Sequence, residues 1–270
     1  MACVDITIRL VGLSSLLSAL ENLAAKRHFS DDAILGWPVV KRRSRLRGHD
    51  FLAKVAEVSF QGRGYVGMQF LRTAAAAVLI VFAGHPLARP AGLLVLLAIN
   101  LLTHVRHFGL AGTGGDRFRL VLIGALALRE LAPSSEAAAY ATLGFIAGQC
   151  ALAYFVAGLA KVNKPEWQRG TALAILLRSP LMGDPIVSAW LNKNRLACRA
   201  LTWGVLALEV TFPVALIGGT HVAFFFVIAA WAMHLAIGQL MGLAPFVWAF
   251  LAGYPAVLLI SGQISKNLFH

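Results

Sequence analysis

A phenol and an amine stand seven residues apart in the run Tyr154-Phe155-Val156-Ala157-Gly158-Leu159-Ala160-Lys161. On an α-helix that spacing puts both on one face, so Tyr154 and Lys161 can address the same cavity. An amine that has lost its proton is a general base, and surroundings of low dielectric disfavour the ammonium form. The run continues through Val162 and Asn163 to Pro165, Glu166, Trp167 and Gly170. These residues equally suit the end of a membrane span, with Lys161 as a snorkelling anchor, Trp167 as an interfacial ring and Gly170 as a helix stop. Both readings stand.

Two further ionisable residues lie inside apolar runs. Glu209 precedes Pro213 by about one turn, and His234 precedes Gly238 by the same interval. A charge in hydrocarbon must be paired or neutralised, so each is a functional candidate and equally a candidate for a polar contact between helices. His104-x-x-His107 places two imidazoles on one helical face, but an isolated pair beside Arg106 is a thin basis for a metal site. The eight histidines are scattered without HxxxH or HxxHH spacing, and Cys3, Cys150 and Cys198 form no CxxC pattern. No metal is expected, and the residues alone name no cofactor.

The elements that hold these side chains are membrane helices. Hydrophobic residues make up 59% of the chain and charged residues only 13%, against about a quarter charged in soluble domains. From Val210 to Ser265 there is no Asp, Glu, Lys or Arg, a stretch that holds two spans of roughly 20 residues and a turn. Backbone polar groups in hydrocarbon must pair internally, and runs of this length do so as helices. The expectation is an all-α polytopic bundle of about eight spans, at 6–24, 64–84, 90–106, 117–133, 137–160, 200–217, 221–241 and 245–263. The first is expected to be a retained helix rather than a signal peptide. Breaks fall at His85-Pro86, Ala132-Pro133, Gly218-Gly219 and Ala244-Pro245. The 171–199 stretch, interrupted by Arg178, Pro180, Asp184 and Pro185, reads as an interfacial or re-entrant element.

Eight spans put the segments 25–63, 104–119 and 161–199 on one side, and these carry 19 of the 24 Lys and Arg. That segregation marks the three as cytoplasmic and the membrane as the plasma, or inner, membrane. The net charge of +12 then points to anionic lipid headgroups and away from nucleic acid. Lys41, Arg42, Arg43, Arg45 and Arg47 read as a basic loop facing lipid.

The run from Tyr154 to Gly170 resembles the horizontally transferred transmembrane (HTTM) domain family. This group is related to the membrane core of vitamin K-dependent γ-glutamyl carboxylase, and its pattern is roughly an aromatic, Ala-Gly-x-x-Lys-Leu and Trp-x-x-Gly. Here the pattern is met by Ala157-Gly158-Leu159-Ala160-Lys161-Val162 and Trp167-Gln168-Arg169-Gly170. Phe29 to Leu35, Gly114-Gly115-Asp116-Arg117, and Glu209 with Phe212-Pro213, His234 and Phe246 are similar to other family segments in the same order. The resemblance implies a single HTTM-like domain over 1–270. It makes Lys161 the base that deprotonates a reduced quinone, with Tyr154 at the same site. A histidine lies near the carboxylase position that Asp116 matches, so a hydrogen-bonding role there falls to Asp116, His104 or His107. Asn163, Trp167, Glu209 and His234 are the supporting residues. A small peptide substrate or a soluble partner protein would join the lipid bilayer as partner. The alternative is a non-catalytic membrane subunit of a peptide maturation, export or immunity system.

Overall fold

Apolar runs that find no water for their N–H and C=O groups satisfy them by coiling, and the chain does so along almost its whole length. The computed structural model describes residues 2–43, 50–106, 113–180 and 182–269. Within them are helices α1 (Ala2–Ala24), α2 (Trp37–Val40), α3 (Asp50–Phe60), α4 (Arg63–Val81), α5 (Ala88–Arg106), α6 (Gly114–Arg129) and α7 (Glu136–Val162). There follow α8 (Pro165–Gln168), α9 (Ala172–Leu177), α10 (Pro185–Lys193), α11 (Arg195–Thr211), α12 (Val214–Ile217), α13 (Gly219–Met241) and α14 (Ala244–Phe269). His107, Arg45 and Arg47 lie outside the described residues.

Five of these helices are long and apolar enough to cross a bilayer: Ala2–Ala24, Arg63–Val81, Glu136–Val162, Gly219–Met241 and Ala244–Asn267. Ala88–His104 is a shorter apolar helix. The segments expected to span at 117–133 and 200–217 form helices of 16 and 17 residues. At 1.5 Å per residue these are about 24 and 26 Å long, short of the roughly 30 Å hydrocarbon core. Both end early for local reasons. Arg129 turns to donate to the carbonyl of Pro133, and Pro213, which lacks an N–H, separates α11 from α12. The stretch 171–199 holds only the short α9, α10 and the start of α11.

The chain divides into two compact units, Met1–Ala138 and Ala139–His270. In the first, α1 runs antiparallel to α4, with Arg9 Nη1 donating to the Ile80 carbonyl at 2.7 Å. Helix α5 packs on α4, and α6 on α5 and α1, continuing the up-and-down order. Ile8, Val11, Leu79, Leu93, Leu96, Leu122, Ile123 and Leu126 fill the middle. A polar layer closes each end. At one, Glu130 accepts from Arg89 Nε at 2.9 Å and from Arg129 Nη1 at 3.1 Å, with Asp5 3.7 Å from Arg89. At the other stand Arg72, Asn100, Asp116 and Arg119.

The described parts of the basic segment after α1 pack against α4 and α5. Trp37, Ala56 and Phe60 pack against Tyr65, Met68 and Ile99. Arg106 lies 4.7 to 5.3 Å from the ring centres of Phe29, Phe60 and Tyr65 and donates to the Leu35 carbonyl. Lys41 bonds to Glu57 at 3.0 Å, and Trp37 Nε1 donates to the same carboxylate at 2.8 Å. These two donors, the indole first, hold the Glu57 carboxyl below the usual glutamate range.

In the second unit α13 and α14 form the main helix pair, joined at Gly242, whose φ of 66° is the left-handed turn that glycine adopts freely. The short helices pack beside α11. Asp184 caps α10, Ser188 bonds to the Ala174 carbonyl, and Trp203 Nε1 donates to the Gln168 carbonyl.

Candidate functional site

Helices α7 and α11 meet at a glycine. A Cβ on Gly158 would stand 2.8 Å from Val210 Cγ2, 2.9 Å from the Val210 backbone nitrogen and 3.1 Å from Glu209 Cβ. Only a residue without a side chain lets the backbones approach this closely. One turn on, the approach brings Lys161 to Glu209. Lys161 Nζ donates to Glu209 Oε1 at 2.9 Å, to Oε2 at 2.8 Å and to the carbonyl of Ala157 at 3.2 Å. The Trp167 ring, buried at the start of the following turn, lies 5.4 Å from Nζ. Glu209 is buried, whereas the Lys161 side chain keeps partial exposure. The site is thus an ion pair with one open flank.

On the other side of Gly158, one turn back along α7, the Tyr154 ring is stacked on Phe212 of the chain just after α11, with centroids 4.1 Å apart. Its hydroxyl lies 2.7 Å from His234 Nε2 on α13 and 2.7 Å from the Tyr254 hydroxyl on α14. Phe246 and Phe250 complete an aromatic wall, stacking on or tilting against the His234 ring. Among the described residues His234 Nδ1 has no hydrogen-bond partner. The imidazole, the Tyr154 hydroxyl and the Tyr254 hydroxyl, in that order, form a short chain along which protons can be passed, and the Glu209 carboxylate is near enough to Tyr154 to act on it electrostatically.

Of the residues singled out by sequence, Tyr154, Lys161, Trp167, Glu209 and His234 therefore fall in the second unit as two adjoining groups. Asn163 is exposed at the turn after α7, away from the ion pair's bonds. Asp116 and His104 belong to the first unit. There Asp116 closes a capping box with Thr113 at the start of α6 and pairs with Arg119, and His104 is half-buried on α5. The thiols of Cys150 and Cys198 are buried. Among the described residues no group of three or more His, Cys, Asp or Glu is placed to hold a metal ion.

Tyr254 and Phe250 escaped the sequence reading. The signal was present, since Phe246, Phe250 and Tyr254 recur every four residues and so share one face of α14. In a uniformly apolar helix an aromatic stripe looks like ordinary packing, and only the hydroxyl of Tyr254 set it apart.

Comparison with known families gives one match. The model described as the HTTM domain matches residues 126–260, half of the chain, and this range holds every residue of the ion pair and of the tyrosine–histidine group. No curated protein and no solved structure gives a significant match.

Proposed function

Because the chain belongs to the HTTM domain family, an integral membrane family, we propose that it is a membrane-embedded enzyme whose base is the Lys161–Glu209 pair. The observation that carries this reading is the bidentate contact of Lys161 with a buried carboxylate at the open end of α7. An ammonium and a carboxylate in low dielectric hold the same protons as a neutral amine beside a carboxylic acid, and the interior narrows the gap between the two forms. From the second form the neutral Lys161 amine takes the proton of a presented substrate hydroxyl, a route closed to a guanidinium, which does not yield its own proton to Glu209. The products are an oxyanion, a protonated Glu209 and a Lys161 ammonium that faces the new negative charge. The proton balance closes, and the cation that remains stabilises the anion formed.

Substrates that fit are lipid-soluble hydroxylated rings, reduced quinones among them. Such a ring arrives laterally through the bilayer and meets the pair at the exposed flank of Lys161, because Tyr154, Phe212 and Phe250 are buried against one another. A small peptide bound at the membrane face is the other substrate class that the family resemblance suggests. The eight-span topology, the cytoplasmic placement of 25–63, 104–119 and 161–199 in the plasma membrane, and the action of 1–270 as one functional domain belong to the same proposal. Its support is the partition of 19 of 24 basic residues into those three segments. Cysteine labelling near positions 45, 112 and 193 should report one side, the cytoplasmic one; labelling from opposite sides would refute the span count.

A second reading rests on the saturation of Lys161, whose bonds to Glu209 and the Ala157 carbonyl could serve folding alone. The chain would then be a non-catalytic membrane subunit of a peptide maturation, export or immunity system, with a soluble protein as partner. Arginine separates the two. It keeps a charge and a long stem but stays protonated at any relevant pH. Reduced naphthoquinone consumption under oxygen by the full chain in nanodiscs should fall by about 100-fold or more in Lys161→Arg, the scale of a lost general base. Abundance should stay near wild type. An arginine variant with undiminished consumption would leave the subunit reading.

A further inference from the structure

The polar layer formed by Arg72 and Arg119 in the first unit holds two buried guanidinium groups and one directly bonded carboxylate. Arg72 on α4 is 1% exposed and Arg119 on α6 is 2% exposed. Both donate to one acceptor, Asn100 Oδ1 on α5, each at 3.4 Å. Two guanidinium groups thus flank a single neutral amide oxygen. Like charges at this separation repel, and the repulsion is not screened by water inside the bundle. Asp116 pairs with Arg119 alone. Arg72 has no carboxylate within bonding distance among the described residues, and the nearest further one, Glu21, is an exposed group that acts only at longer range.

Donors are also left over. Among the described residues Arg72 Nε and Arg119 Nη1 have no hydrogen-bond partner, and neither amide atom of Gln69 has one. Gln69 is fully buried and sits three residues before Arg72, on the same face of α4. Four helices converge here with the same ends, the C-terminal parts of α1 and α5 and the N-terminal parts of α4 and α6. Arg119 lies about 8 Å along its helix from the α6 start, and Arg72 about 13 Å from the α4 start. Arg72 is thus midway along α4, and Arg119 about a third of the way along α6.

The geometry points to a binding site for a phosphate oxyanion, held between Arg72 and Arg119 with the Gln69 amide as a third donor. Forked guanidinium donors match phosphate oxygens in pairs, and several donors from different helices suit a tetrahedral group better than a planar carboxylate. An anion placed there gives Arg72 the bonded negative partner it lacks and occupies the leftover N–H groups together. The phosphate can belong to a phospholipid headgroup, reached from the bilayer, or to a water-borne phosphate compound, reached past the partly exposed Asp116.

The test uses the full chain in maltoside detergent, stripped of lipid. It is titrated separately with phosphatidylglycerol, with diacylglycerol as the phosphate-free counterpart, with inorganic phosphate and with succinate. Native mass spectrometry counts adducts, and a thermal melt reads stabilisation. One retained phosphatidylglycerol with a raised melt that diacylglycerol does not give identifies the lipid source. A comparable rise with inorganic phosphate identifies the water-borne source. Arg72→Gln should weaken binding at least tenfold. Gln69→Leu breaks no side-chain bond of the resting protein, so it should fold even if the arginine variant does not, and it should weaken binding several-fold. Three results overturn the proposal: no binding of either phosphate probe to wild type, succinate binding as well as phosphate, or unchanged binding in a folded variant.

Discussion

The two units bury polar groups in opposite ways. Five arginines are buried among the described residues, Arg72, Arg89, Arg106, Arg119 and Arg129, and all belong to the first unit. Arginine does not release its proton in proteins, so these charges are fixed. They order the helix ends around an apolar middle and hold aromatic rings, as Arg106 does. The second unit has no buried arginine among its described residues. It holds instead the Lys161–Glu209 pair, with its carboxylate buried, the hydroxyls of Tyr154 and Tyr254 and the imidazole of His234, groups that can exchange protons. Fixed charge serves architecture and electrostatic recognition, whereas exchangeable protons serve chemistry. The family match over 126–260 takes in the end of the first unit and most of the second.

The sharpest way to break the comparison is to remove the acid that joins two of the fixed charges. Glu130→Ala leaves Arg89 and Arg129 without their shared carboxylate at one end of the first unit. Breaking a buried pair costs about 3–5 kcal/mol. Detergent-solubilised variant should show a large fall in unfolding midpoint and in monodisperse yield; a melt like that of wild type would mean that the polar layer is ornamental to the fold.

A smaller loss is expected from Gly158→Ala, where the new methyl meets Val210 and must part α7 from α11. Overpacking of this kind costs about 1–3 kcal/mol. It should also loosen the Lys161–Glu209 contact, so quinol consumption should fall further than stability does. Loss of stability with full activity would separate the ion pair from the chemistry.

The sequence made part of this legible. Composition and uncharged runs revealed the all-helical membrane class, because hydrocarbon permits so few backbone solutions. Gly and Pro positions marked the helix ends near 85, 133, 218 and 244, and Tyr154 and Lys161 were placed on one face by spacing alone. Partners across helices were not legible. Lys161 and Glu209 are 48 residues apart and Tyr154 and Tyr254 are 100 apart, and their meeting depends on helix packing that periodicity does not encode. The local bonding of Asp116 was legible but passed over: it closes a capping box three residues after Thr113, a pattern visible in the sequence as Thr113-x-x-Asp116. The basic segment after α1 was read by its charges, while Trp37 and Phe60, which fold it onto α4 and α5, were overlooked.

The smallest expected effect concerns Glu57, outside the spans. Its folded-state acidity is greater than its unfolded-state acidity, so its contribution is fully present above the ordinary glutamate value near 4.5 and is lost as pH falls through the lower folded value. Trp37 fluorescence, reporting the indole that donates to this carboxylate, should change in that acidic window and not between pH 6 and 8. The change should vanish in Glu57→Gln. A transition near neutrality would place the responsible group elsewhere.

The central claim is that the Lys161–Glu209 pair accepts a substrate proton, and its most direct test reads the carboxyl itself. Infrared difference spectra of the full chain in nanodiscs, taken on adding a reduced naphthoquinone, should show a new carboxylic acid C=O band as Glu209 becomes protonated. The band should be missing in Glu209→Gln. Spectra without such a band, or with the same band in Glu209→Gln, would contradict the account and leave the pair as a structural contact between α7 and α11.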